Sequence, residues 1–232
     1  MWYSDKIAAI IEEFDSNLQA QLLIHDLAYC DAELNVTGQT KLNRIRGRLG
    51  RADRYVTGMA TAVRRPFLDF CLPFPEESDL AHDDWLHKMA EAIGGRFVLP
   101  RVLALYRRHV ANVTISSQVN SARSQSLFRV LSQRTAAPTI QPVRRTHKHL
   151  RLVSQALTNR KHQLDTAKLL SQSEYESAVR RIETAMVHHQ RRLALLQCRR
   201  FKRPIGVFRL LLTGGYSRFN GAKSAMKDLI VR

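Results

Sequence analysis

Leu22-Leu23-Ile24-His25-Asp26-Leu27-Ala28-Tyr29 reads as a largely buried β-strand, a near-continuous apolar run without the alternation of a half-solvated one. Upstream, Ile7, Ile10, Ile11 and Phe14 recur at i, i+3, i+4 and i+7. That spacing predicts an amphipathic helix over 5–14, with Ser4 as its N-cap and Asp5 at the positive end of the dipole. A helix leading into a buried strand is the αβ half of an α/β unit, so the chain reads as beginning partway through a sheet.

Beyond the strand, Asn35-Val36-Thr37-Gly38 supplies a turn, and the basic, Gly-punctuated stretch Lys41 to Arg54 reads as a loop. Pro66, Pro73 and Pro75 predict another loop, which delivers the chain to Asp83. Helical spacing resumes with Trp85, Leu86, Met89, Ala90 and Ile93, and Gly94-Gly95 stops it. Phe97-Val98-Leu99 is expected as a short strand, with Val102 to Tyr106 continuing the apolar run past Pro100. Ser116 to Pro142, rich in Ser, Gln and Thr, reads as a linker holding one short helix. From Val143 the pattern is helical. Ser173-Glu174-Tyr175-Glu176 has the form of a capping box, and Tyr175, Val179, Ile182 and Met186 make a core-facing stripe. One helix from near Pro204 ends at Gly214-Gly215, and Ala222 to Val231 reads as the last. The expected organisation is an α/β domain over 1–115, a linker over 116–142 and a basic helical extension over 143–232.

Charge divides the chain the same way. Of the formal net charge of +17, residues 1–100 carry 11 Lys+Arg against 15 Asp+Glu (−4), and residues 101–232 carry 26 against 5 (+21). Such a basic half attracts nucleic acid, anionic lipid headgroups or phosphorylated substrates. Cys30, Cys71 and Cys198 lie far apart without CxxC spacing, which argues against a disulfide framework or a structural zinc and for a reducing, cytoplasmic setting. No apolar run approaches the ~20 residues that span a bilayer.

Two groups of residues carry candidate chemistry. In His82-Asp83-Asp84-Trp85, a carboxylate at the start of a helix suits a general base, and the same acids also suit the helix's positive end. In Tyr106-Arg107-Arg108-His109-Val110-Ala111-Asn112, a guanidinium and an imidazole follow the last apolar strand, where a diphosphate oxygen could be held. Together these runs resemble the second half of the catalytic domain of family 2 glycosyltransferases, which have the GT-A fold. Tyr55 to Arg65, centred on Gly58, resembles that family's acceptor-side segment. Gly214-Gly215-Tyr216-Ser217-Arg218-Phe219 with Lys227-Asp228-Leu229 resembles the end of bacterial rhamnosyl- and related polysaccharide-assembly transferases.

The resemblance implies a partial GT-A domain lacking its N-terminal nucleotide-binding strands, followed by the basic helical extension. It implies transfer of a sugar from a UDP- or dTDP-sugar to a glycan or lipid-linked acceptor in surface polysaccharide synthesis. Asp83 would be the base, with Asp84 as the fallback. Trp85 would wall the acceptor side beside Gly58, and Tyr106, Arg107 and His109 would meet the donor diphosphate. His109 would also complete a Mg²⁺ or Mn²⁺ site. The family's metal-binding Asp-x-Asp motif is absent, so the resemblance implies a truncated chain whose activity alone is in question.

The alternative is a non-enzymatic basic module for nucleic acid or an anionic membrane. Aromatic residues are sparse in the basic half and no glycine-rich or zinc motif appears, so no specific nucleic acid is expected. Arg199, Arg200, Lys202, Arg203 and Arg209 interleave with Phe201, Val207, Phe208 and Leu210 to Leu212. This run reads either as an interfacial helix, placing the protein peripherally on the inner face of the cell membrane, or as a packing element whose cations face water.

Overall fold

Strand β1 (Leu22–Cys30) is buried along its whole length and organises the α/β fold of the first part of the chain. The computed structural model describes residues 1–49, 55–76, 79–107, 140–219 and 221–230. Among the described residues three strands pair with β1 in an open, mixed sheet: β2 (Val36–Thr40), β3 (Thr61–Val63) and β4 (Arg96–Arg107). β4 runs parallel along one edge of β1, from Leu22↔Arg96 to Cys30↔Arg107. β2 and β3, both antiparallel, divide the other edge, β2 opposite Ala28 and Cys30 and β3 opposite Leu22 to Ile24. Burial on both faces explains why β1 is apolar without alternation.

Several local expectations need correction. Asn35 to Gly38 is not simply a turn, because Val36 begins β2 and Asp31 organises the bend before it. The stretch expected as a loop from Lys41 opens with helix α2 (Lys41–Leu49). The proline-bearing loop contains helix α3 (Arg65–Cys71), where Pro66 lies in the first turn and needs no backbone donor. The strand expected as short at Phe97 to Leu99 runs on through Tyr106, carried past Pro100 by a register shift opposite His25 and Asp26.

Helix α1 (Lys6–Ser16) forms as expected, but its inward face carries Lys6, Ala9 and Ile10 while Ile7 and Ile11 are exposed. Asp5, not Ser4, is its N-cap residue, and the Asp5 carboxylate pairs with Arg101 at 2.6 Å. Helix α4 (His82–Ala92) forms where the periodicity predicts it. Gly94, at φ +76°, lets its last turn close with Gly95 N–H donating to the Ala90 carbonyl at 2.9 Å.

The chain divides into two compact units, Met1–Ser117 with Ala156–Ala178, and Gln118–Gln155 with Val179–Arg232. The remaining described helices are α5 (Gln141–Asn159), α6 (Lys161–Thr166), α7 (Gln172–Gln197), α8 (Arg203–Leu212), α9 (Gly215–Phe219) and α10 (Ala222–Ile230). The capping box of α7 is built by Ser171 and Glu174, two residues before the expected pair: Ser171 N–H donates to Glu174 Oε2 at 2.8 Å. Residues 116–139 of the expected linker lie outside the described residues.

In the second unit Val143, Leu195, Leu196, Val207, Leu210, Tyr216 and Ala225 form an apolar core. Beside it Arg192 and Asp228 make a bidentate ion pair at 2.8 Å, and Tyr216 Oη donates to Asp228 Oδ2 at 2.6 Å. His188 stacks on Phe219 with ring centroids 4.8 Å apart. Gly206 packs against the end of the Leu195 side chain, which would have to shift to admit a Cβ there.

Candidate functional site

Asp26, in the middle of β1, fixes the first wall of the site. Its Oδ1 accepts the backbone N–H groups of Leu27 at 2.7 Å and Leu42 at 2.9 Å, so a buried carboxylate of the central strand meets the N-terminus of α2. That contact sets Lys41 over the sheet. Lys41 Nζ donates to Thr57 Oγ1 and lies 5.2 Å from the centre of the Tyr106 ring and 5.8 Å from that of Tyr55. Tyr55 is fully buried, its hydroxyl donates to the His25 carbonyl at 2.8 Å, and burial pushes its pKa up.

The second wall is the start of α4. Asp83 Oδ2 accepts the Gly58 N–H at 2.9 Å and its Oδ1 accepts the Asp84 N–H at 3.0 Å. Two residues that the sequence singled out 25 positions apart are therefore in direct contact. A Cβ at Gly58 would lie 3.5 Å from Asp83 Oδ2 and 3.7 Å from His82 Nε2, ordinary contact distances. Gly58 thus serves through its backbone donor rather than through its lack of a side chain. Asp83 and Asp84 are both half-buried in the first helical turn.

Below them lies a polar chain that sequence reasoning missed. Thr61 Oγ1 donates to the Thr57 carbonyl at 2.9 Å and meets His87 Nε2 at 2.9 Å. Arg96 Nε donates to His87 Nδ1 at 2.9 Å, so the imidazole is a neutral tautomer with its proton on Nε2. Burial first, and the neighbouring Arg96 second, push His87 down to about 4 against the pull of Asp83. The helical position of His87, between Leu86 and Met89, gave no sign of this partnership, because Arg96 and Thr61 come from separate strands.

The other expected residues fall as follows. Trp85 is buried, and its Nε1–H donates to the Cys71 carbonyl at 3.0 Å, so it packs α4 against α3 rather than walling an open cleft. Tyr106 is half-buried, edge-on to Tyr29 at 5.9 Å, and shares the Lys41 ammonium. Arg107 is exposed at the end of β4. His109 and Asn112 lie outside the described residues. Arg64, within the glycine-centred segment, has a packing role: its guanidinium lies over Phe14 and donates to the carbonyl of Ala20.

A divalent cation needs several converging oxygen or nitrogen donors. Among the described residues no group of three or more His, Cys, Asp or Glu side chains could hold one. The nearby carboxylates are engaged with backbone: Asp26 on α2, Asp31 on the N–H groups of Glu33 and Asn35, and Asp83 on Gly58 and Asp84. These donors do not fit a metal centre by themselves. What the arrangement offers is a fixed carboxylate, a cation on an aromatic floor, and a neutral imidazole held beneath them. Set against protein-family models, curated proteins and solved structures, the chain matches none of them.

Proposed function

We propose that this chain carries the acceptor-activating part of a GT-A-type glycosyltransferase, moving a sugar from a UDP- or dTDP-sugar to a glycan or lipid-linked acceptor in surface polysaccharide synthesis. The observation that supports it is the Gly58 N–H to Asp83 Oδ2 bond, which joins the two sequence segments that the resemblance places around an acceptor. With one backbone N–H on each oxygen, the Asp83 carboxylate keeps lone pairs directed elsewhere and a fixed orientation. In the proposed step it takes the proton of an acceptor hydroxyl as that oxygen attacks the anomeric carbon. The bond from that carbon to the diphosphate breaks, and the nucleoside diphosphate leaves. Lys41, over the Tyr106 ring, and Arg107 supply positive charge for the leaving diphosphate. A divalent cation, which the resemblance brings, would have to be held with residues outside the described ones, His109 among them.

Calorimetry with UDP and dTDP tests the reading on the chain joined to the N-terminal nucleotide-binding strands that the resemblance implies. Nucleotide binding is expected for the wild type and for Asp83→Asn, and is expected to fall about tenfold or more in Lys41→Ala and Arg107→Ala. In a transfer assay Asp83→Asn should lose ~10²–10⁴-fold in rate, with Asp84→Asn far less affected. No binding of either nucleotide, or binding untouched by both cation substitutions, would overturn the reading. A non-enzymatic basic module remains the second reading, favoured by the +21 over residues 101–232, and it requires steeply salt-dependent binding to generic nucleic acid.

A further inference from the structure

Helix α8 has an apolar face on each side. Arg203, Val207 and Leu210, at i, i+4 and i+7, are buried, and Arg203 donates to the Leu196 carbonyl at 2.8 Å. On the opposite face Ile205, Phe208 and Leu212 are 76%, 60% and 73% exposed, and Phe201, in the preceding turn, is 69% exposed. A helix with one face buried in a core ordinarily turns charged or polar residues outward, so this outer stripe of large apolar side chains calls for a partner.

Cations frame the stripe. Lys202 and Arg209 are exposed beside it, and Arg199 is exposed just before it. From Arg199 to Arg232 the sequence holds one acid, Asp228, and the structure buries it against Arg192. Two adjoining clefts of about 350 and 460 Å³ share Arg191, Leu210 and Thr213, forming a groove beside α8 that Arg209 also lines. Glu183 lines the first of them.

We propose that this face of the second unit seats on an anionic lipid surface. Ile205, Phe208 and Leu212 enter the boundary between headgroups and acyl chains, while Arg199, Lys202 and Arg209 meet lipid phosphates at the rim. The groove between Arg191 and Arg209 takes one headgroup phosphate. An apolar crest flanked by Lys and Arg is the make-up of an in-plane interfacial helix. A nucleic acid would be held through its phosphates by the cations and would leave Ile205 and Leu212 facing water, whereas a lipid boundary takes up the whole apolar crest. The inference stands apart from sugar transfer and holds whether or not that reading does.

Flotation of the full chain with vesicles decides it. Pure phosphatidylcholine vesicles are compared with vesicles containing about 30 mol% phosphatidylglycerol, at low and high salt. Wild type is expected to partition at least about tenfold more onto the anionic vesicles and to be released by high salt. The triple variant Ile205→Ser/Phe208→Ser/Leu212→Ser and the double variant Lys202→Gln/Arg209→Gln should each lose about tenfold or more in partitioning. Every substituted residue is exposed, so unchanged circular-dichroism melts are expected, and the two sets test the face independently if one misfolds. Equal partition onto both vesicle types, no flotation, or flotation untouched by either set would overturn the proposal. So would flotation abolished by nuclease, which assigns the face to nucleic acid. A wild-type dimer in sedimentation, dispersed by the serine triple without vesicles, would assign it to a second copy.

Discussion

His87 shows how one residue of the site links chemistry to stability. The unfolded chain takes up a proton on this imidazole near its ordinary value of 6.5, whereas the folded chain resists until about 4. Protonation between those values therefore favours unfolding. The stabilisation is complete above pH 6.5 and drains away as the pH falls toward 4, by at most roughly 3 kcal/mol from this group. His189, also held down to about 4 by burial and then by Arg192, adds a step of the same sign. Urea midpoints at pH 7.5 and pH 5 should differ clearly in wild type and less in His87→Gln, whose side chain can still accept from Arg96 and donate to Thr61. An unchanged gap would mean that His87 is protonated in the folded state.

At the scale of elements, Trp85 is the largest of the side chains that α4 buries, beside Leu86, His87, Met89 and Ala90. Trp85 fills the space against α3 and ties its indole to Cys71, so Trp85→Ala should cost about 3–5 kcal/mol. Trp85→Phe keeps most of the ring volume and loses the hydrogen bond, about 1–3 kcal/mol with the carbonyl left bare. Chemical denaturation of the two variants separates packing from bonding. The periodicity of α4 and the unbroken apolar run of β1 were both legible in the sequence, because each is set by residues close along the chain. Helix α2 was not legible: its first turn is met by Asp26, which lies 16 positions before Leu42. Helix α3 was hidden by Pro66, a residue that reads as a breaker yet is tolerated in a first turn. Asp83 and Gly58 were each visible as chemistry-bearing residues, while Lys41, Thr61 and Arg96 were not. Their roles come from a sheet that brings four separate segments together.

For the whole molecule, the buried charges of the second unit matter most. Arg192, Asp228 and Tyr216 join α7, α10 and α9 in one network. Asp228→Asn leaves a guanidinium buried without its counter-charge and should cost about 3–5 kcal/mol. Arg192→Met/Asp228→Leu should lose much less, since apolar residues of similar volume avoid that desolvation. Thermal melts of the single and double variants test this, and an equal loss in both would mean that the pair itself stabilises the unit, rather than that the single variant suffers from an orphaned guanidinium.

The division of the chain into units also sets the order in which it can be made. The first unit spans Met1–Ser117 and then Ala156–Ala178, with the opening segment of the second lying between them. A ribosome delivers these pieces in turn. The four described strands can therefore be in place while their unit still waits for residues 156–178, and Val143 of α5 emerges well before Leu195, Val207 and Leu210, which it will join. Neither unit can finish folding during the synthesis of its own first segment, so the nascent chain depends on late, long-range closure twice.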